Sequence, residues 1–269
     1  MTAEGADTSD PALGRDEQGE GDPLVLLHGV ASSRLIWRRV TEPLAARRRV
    51  IAVDLPGFGG SAPAGPGFEL DAVAERLAAG LADDAPFDLV GHSLGGAVAV
   101  AFASRHPGAV RRLVLVAPAG LAPRAIGVAA AIGAAAELAT HARRALGYQW
   151  AENAAARWAM FAATVADPGA LRAEDARLLL EASDGGRRIA DGVRQALEAD
   201  LRDDLADAPL PVGLIWGTAD RVVPFAGLDA LRLLRPDAAV ETLAATGHIP
   251  QVERPAEFAA ALERVLDRL

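Results

Sequence analysis

The sequence predicts an α/β fold, a mostly parallel, doubly wound sheet with helices on both faces and a helical segment inserted between two strands. Three observations point there. Short, fully apolar runs stopped by Gly, Pro or Asp recur along the 269 residues; such runs suit strands covered on both faces. Stretches of helical length and pattern separate them, and strand alternating with helix builds a parallel sheet. Hydrophobic residues reach 51%, enough for a large core.

The elements follow in order. Residues 1–22 are acidic and rich in Gly, Asp and Glu, and are expected to be a flexible tail. The tail has neither the basic nor the apolar block of a secretory signal, so a cytoplasmic location is expected. "PLVLLHG" (23–29) reads as the first buried strand, "RRVIAVDLPGFGGS" (48–61) as a strand and its Pro/Gly loop, and "FDLVGHS" (87–93) and "RRLVLVAPAG" (111–120) repeat the form. "VGLIWGTAD" (212–220) and "AAVETLAATGH" (238–248) complete the sheet. Helices are expected over 35–47, 70–83, 94–106, 226–234 and 255–269. From 121 to 208 no strand pattern appears. That stretch is Ala-rich, with breaks at Gly147, at Asp167, Pro168 and Gly169, and at Gly185 and Gly186, and Pro209 and Pro211 mark its exit. It is read as a helical cap on a core formed by 23–120 and 209–269. The Ala-rich window 125–139 is too short for a membrane span; it reads equally as the wall of an apolar pocket or as core.

Composition narrows the chemistry. The net charge of −9 argues against nucleic acid as a partner. The 27 basic residues are all arginine, which removes Schiff-base lysines and the lysine of a phosphate loop. With no cysteine, disulfides, thiolate metal sites and a cysteine nucleophile are excluded. No metal or organic cofactor is expected, and the expected partner is a small-molecule substrate.

"LVGHSLGG" (89–96) runs a strand into Gly-x-Ser-x-Gly and on into a helix. Such a turn is sharp. Gly91 and Gly95 would relieve its crowding, and Ser93 would be held in a strained conformation with its hydroxyl exposed beside a helix N-terminus. A serine needs a base. Of the five histidines, His106 reads as a polar helix end and His141 as solvated. His248 follows the last strand, and parallel strands end at one crevice. Asp220, after the preceding strand, would orient the imidazole. The rival place for an acid, "VAPAG" (116–120), holds none, and Asp54 reads as a loop anchor. Backbone N–H groups of Val30 and Leu94 are the candidate oxyanion donors. His28, Gly29, Trp150, Trp158 and Phe161 are candidate substrate contacts, the aromatics reading also as packing for the cap.

"LLHG", "DLPGFGGS", "GHSLGG", "GTADRVVP" and "GHIPQVERP", in that order, resemble the α/β-hydrolase superfamily over residues 24–269. The resemblance implies a serine-nucleophile, capped, esterase- or lactonase-like member acting on an ester, lactone or thioester of a small to medium apolar substrate. A serine at position 93 speaks against haloalkane dehalogenases and epoxide hydrolases. His92, where carbon–carbon hydrolases of the family usually carry Asn, and Ala97, where perhydrolases usually carry Gly, weaken those readings without removing them. A cyclase of natural-product assembly and a non-catalytic binding protein stay open as well. Family members usually have two antiparallel strands before the His-Gly strand, and only 1–22 is available for them. The exposed sheet edge would then need the tail or a second copy to cover it, so a homodimer is one expected solution.

Overall fold

The computed structural model describes residues 13–121 and 128–269. Its sheet has seven strands among those residues: β1 (Arg15–Gln18), β2 (Pro23–Leu27), β3 (Arg49–Val53), β4 (Phe87–His92), β5 (Val110–Val116), β6 (Val212–Gly217) and β7 (Ala239–Leu243). They lie in the order β1-β3-β2-β4-β5-β6-β7, all parallel except β1, which pairs antiparallel with β3. The parallel, doubly wound architecture read from the apolar runs is therefore present.

Alternation along each strand sends side chains to two separate cores. Leu24 and Leu26 of β2, Val50 and Ala52 of β3, and Val114 and Val116 of β5 enter one. That core is closed by α1 (Arg38–Ala45), the short α10 (Pro250–Glu253) and α11 (Pro255–Arg268), through Val40, Leu44, Val252, Phe258, Leu262 and Val265. The intervening Val25, Leu27, Ile51, Val53, Leu113 and Leu115 enter the other. It is closed by α2 (Leu70–Gly80), α3 (Leu94–Arg105) and α9 (Gly227–Leu234), through Val73, Leu77, Val98, Phe102, Leu228 and Leu231.

The tail departs from expectation. Residues 1–12 lie outside the described residues, but Arg15–Gln18 is not a loose segment: it forms β1 and covers the free edge of β3. Its burial is slight. The ladder and ion pairs hold it instead, Arg15 with Asp84 at 2.8 Å and Arg49 with Glu17 at 3.2 Å. Among the described residues one short strand thus stands where two were in question, and it covers the outer edge of β3.

Between β5 and β6 come α4 (Ala129–Leu146), α5 (Ala154–Phe161), α6 (Ala173–Ser183), α7 (Ile189–Glu198) and α8 (Arg202–Ala206). The breaks after α4, between α5 and α6, and after α6 fall at the Gly and Pro positions read from the sequence, whereas the α7–α8 break at 199–201 has neither residue; residues 122–127 of that stretch lie outside the described residues. α4 crosses α7 closely, because Gly133 leaves room for the Ala190 carbonyl, 2.7 Å from where a Cβ would stand. No described helix is long and apolar enough to cross a membrane.

Candidate active site

The strand order positions the site. β2 leads by α1 to β3 on one side, while its neighbour β4 leads by α3 to β5 on the other, so the connections leave the carboxyl ends of these two adjacent strands in opposite directions. Such a switch point opens a crevice. The residues after β2 and after β4 meet there, since Leu27 and Gly91 are paired neighbours. On the next pair of strands, Gly217 faces Leu243, which brings the residues after β6 and β7 together in the same way.

Ser93 is the turn between β4 and α3. Its backbone is left-handed, φ 53° and ψ −118°, a conformation that costs roughly 1–3 kcal/mol for a non-glycine residue. The surroundings enforce it. The Ser93 N–H donates to the Val116 carbonyl (3.0 Å), and its carbonyl accepts from the N–H groups of Gly96 and Ala119 (2.9 and 3.0 Å). Gly91 and Gly95 are required by close approach: a Cβ on Gly91 would lie 2.3 Å from the Gly95 carbonyl oxygen, and one on Gly95 2.5 Å from the Leu27 and His28 oxygens. Leu94 opens α3, so its N–H has no acceptor within the helix.

His248 Nδ1 donates to Asp220 Oδ2 at 2.8 Å, both side chains buried. The other carboxylate oxygen of Asp220 accepts from the N–H groups of Val222 and Val223 at 2.8 and 3.0 Å. One oxygen is thereby fixed by the backbone and the other aimed at the imidazole. Nδ1 carries the proton in this arrangement, leaving Nε2 as the basic nitrogen. Ser93, His248, Gly29 and Val30 all line one cavity of about 310 Å³. Most of its remaining wall is aliphatic or aromatic, with Ile36, Phe161, Leu179, Leu180, Ile189 and Val193 among the lining.

His28 is not a substrate contact. It is fully buried and both ring nitrogens are taken: Nδ1 donates to the Gly29 carbonyl (2.7 Å) and Nε2 accepts from the Leu55 N–H (3.0 Å). Burial pushes its pKa down, keeping the ring neutral. A trans peptide points its C=O and N–H in opposite directions. Holding the Gly29 oxygen therefore turns the Val30 N–H away from the His28 ring. Gly29 itself approaches the β4–α3 turn, with a Cβ there 3.1 Å from Ser93 Cβ. His92, also buried, donates from Nε2 to the His248 carbonyl at 2.7 Å. Burial, and then the neighbouring His248, hold its pKa well below the usual imidazole value.

Of the predicted aromatics only Phe161 lines the cavity. Trp150 and Trp158 are 43% and 60% exposed. The helical spacing of Trp158 and Phe161 suggests one shared stripe, but α5 is anchored at its end by Phe161 while Trp158 faces outward. Small residues of α4 take the inner wall instead: Ala136, Ala139 and Thr140. Asp54 is a loop anchor: it accepts from the N–H groups of Arg34 and Gly60, each at 2.7 Å, and pairs with the Arg34 guanidinium.

Two residues escaped the sequence reading. Glu253 accepts from the N–H groups of Gly247, Ile249 and Ala166 at 2.9, 3.1 and 2.9 Å. It clamps the backbone on both sides of His248 and ties that loop to the inserted helices, as does the bond from the His248 N–H to the Thr164 carbonyl (2.9 Å). Its position inside "GHIPQVERP" was the available signal. Arg143 lines the cavity from α4; the i, i+3, i+4, i+7 spacing of Ala136, Ala139, Thr140 and Arg143 would have put it on the inner face. Among the described residues no cluster of side chains is suited to hold a metal ion.

Comparison with known proteins is consistent across sequence and structure. Residues 24–261 match the model of the alpha/beta hydrolase family. A pimeloyl-[acyl-carrier protein] methyl ester esterase from Chromobacterium violaceum is 34% identical over 253 residues, 93% of this chain and 96% of that protein. An esterase from Rhodococcus sp. ECU1013 superposes with a TM-score of 0.75 at 29% identity, covering 94% of each chain. An esterase from Thermogutta terrifontis reaches a TM-score of 0.79 at 24% identity, over 95% of this chain and 93% of that one.

Proposed function

The chain belongs to the alpha/beta hydrolase family, and we propose that it hydrolyses a carboxylic ester of a compact substrate through a Ser93–His248–Asp220 acyl-enzyme mechanism. The observation that carries this reading is the single cavity bordered by Ser93, His248 and the Gly29–Val30 peptide, with His248 Nδ1 held by Asp220 at 2.8 Å. Esterases among the relatives favour an ester over a thioester or a carbon–carbon bond.

In this mechanism His248 Nε2 takes the Ser93 hydroxyl proton as Oγ attacks the ester carbonyl. The N–H groups of Val30 and Leu94 hold the developing oxyanion, each worth roughly 3–4 kcal/mol in the transition state. His248 then protonates the leaving alkoxide. A water molecule, deprotonated by His248, attacks the acyl-enzyme and releases the acid. The inserted helices act as a cap that keeps bulk water from the acyl-enzyme and sets the size of the acid or alcohol that fits.

The test is active-site labelling together with turnover. A fluorophosphonate is expected to modify Ser93 in the native protein and nothing in Ser93→Ala. Hydrolysis of short-chain methyl or p-nitrophenyl esters is expected to fall in that variant by about 10⁴–10⁶ in kcat with the fold intact. Unchanged ester turnover in Ser93→Ala would remove Ser93 from the chemistry.

A further inference from the structure

One guanidinium sits in the wall of this mostly apolar cavity. Arg143 projects from α4 on the same face as Ala136, Ala139 and Thr140, all four lining the space above Ser93. Long side chains on a helix lean toward its N-terminus, and Arg143 does so: one terminal nitrogen donates to Thr140 Oγ1 at 3.0 Å and the other to the Met160 carbonyl at 3.4 Å. Those two bonds use part of a donor set of five. Thr140, itself buried, donates its hydroxyl to the Ala136 carbonyl, so its oxygen is turned to receive the guanidinium. Among the described residues no carboxylate pairs with Arg143. Its neighbour Arg144 reaches Asp184 at 3.7 Å, and Arg157, Arg172 and Arg177 of the same helical segment likewise find carbonyls or carboxylates. Burial, and then the charge of Arg144, lower the Arg143 pKa from its ordinary value, as expected of a cation without its anion. An arginine stays charged even so, and a partly buried, unpaired charge is costly. A tie between α4 and α5 alone would not require a charge at that place.

We propose that Arg143 is an anion subsite, and that the substrate is a compact ester carrying a free carboxylate, which rests on the guanidinium while the ester carbonyl lies at Ser93. For the ester end this rests on the serine-hydrolase reading above; the anion end stands on the cavity wall. With the monomethyl ester of a short dicarboxylic acid, water adds at the ester carbonyl, methanol leaves, and the dicarboxylate and one proton are released.

The experiment compares monomethyl glutarate with methyl 5-methylhexanoate, in which an isopropyl group replaces the carboxylate, by proton release at constant pH. The readout is the ratio of kcat/KM for the anionic over the neutral ester. In Arg143→Gln that ratio is expected to fall by about tenfold to a hundredfold, chiefly through KM, and Arg143→Lys is expected to recover part of it. A ratio unchanged within about twofold in Arg143→Gln, with the variant folded by circular dichroism, overturns the proposal. A second arm needs no catalysis: glutarate is expected to raise the Tm of the native protein and not that of Arg143→Gln. If neither ester is turned over and no fluorophosphonate label appears, yet glutarate still stabilises only the native protein, the anion subsite stands and the serine-hydrolase reading fails. If Arg143→Gln does not fold, the native protein decides: no stabilisation by glutarate, together with a preference for the neutral ester, overturns the subsite.

Discussion

At residue scale, four side chains near the site have separable jobs. Asp220 accepts the Nδ1 proton of His248. Asparagine at that place can instead donate to Nδ1 and so stabilise the wrong tautomer; Asp220→Asn is expected to lower kcat on esters by about 10⁴. A loss below tenfold in steady-state assays would mean that another acid serves. Glu253 touches no reacting atom. Glu253→Ala would leave three backbone N–H groups without their acceptor and release the loop that carries His248, with an expected loss of about 10–100-fold in kcat at nearly constant KM. Glu253→Gln, which keeps a carbonyl acceptor, should recover part of that loss. His92 and His28 are buried and neutral, with pKa values below the ordinary imidazole value. An unfolded chain binds these protons near pH 6.5 and the folded chain does not. Their contribution to stability is therefore complete above that pH and is lost as pH falls toward the depressed folded values, by up to about 1.4 kcal/mol per pH unit for each. Urea unfolding of His92→Gln between pH 7 and 5.5 is expected to show a shallower decline than the native protein. Ser93, Asp220 and His248 were legible because each follows a recognisable strand. Glu253 and Arg143 were not singled out because their roles depend on which backbone groups and which cavity they face, and one residue's type does not say that.

At the scale of elements, β2 through β6 announce themselves by apolar runs, because a strand covered on both faces has no solvent side to encode, while β7 is a partly buried edge strand that carries Glu241 and Thr242. β1 does not announce itself, since a four-residue polar edge strand is held by its ladder and by arginine–carboxylate pairs. The inserted segment was legible as helical and in three of its breaks, but not in the α7–α8 break or in the rotation of its helices. Short amphipathic helices packed on one another can place either flank inward, and Trp150 and Trp158 point out where small residues of α4 point in. The β4–α3 turn is the least tolerant junction. Gly95→Ala would drive a methyl group into two backbone oxygens 2.5 Å away, neither on a flexible side chain, and is expected to destabilise by about 3 kcal/mol in urea titration. Gly65→Ala is the control. Nothing lies within 4 Å of its Cβ position, and the substitution should be neutral or stabilise by about 0.5 kcal/mol.

For the molecule as a whole, one buried ion-pair cluster lies at the end of the sheet opposite the site. Asp88, near the start of β4 and fully buried, accepts from Arg48, Arg111 and Arg112, and Arg48 continues to Glu263 of α11 at 3.1 Å. Asp88→Asn keeps the shape and removes the countercharge. It is expected to lower the unfolding free energy by about 3–5 kcal/mol while kcat on a simple ester stays as in the native protein, a pairing that denaturation and activity assays would read separately. In the proposed mechanism the reacting groups are scattered widely along the chain, from the Gly29–Val30 peptide through Ser93 and Asp220 to His248, with α11 still to follow. A nascent polypeptide emerging from the ribosome therefore holds its hydroxyl long before it owns a base to activate it. On that reading, a chain terminated anywhere ahead of residue 248 of the 269 is expected to be chemically silent.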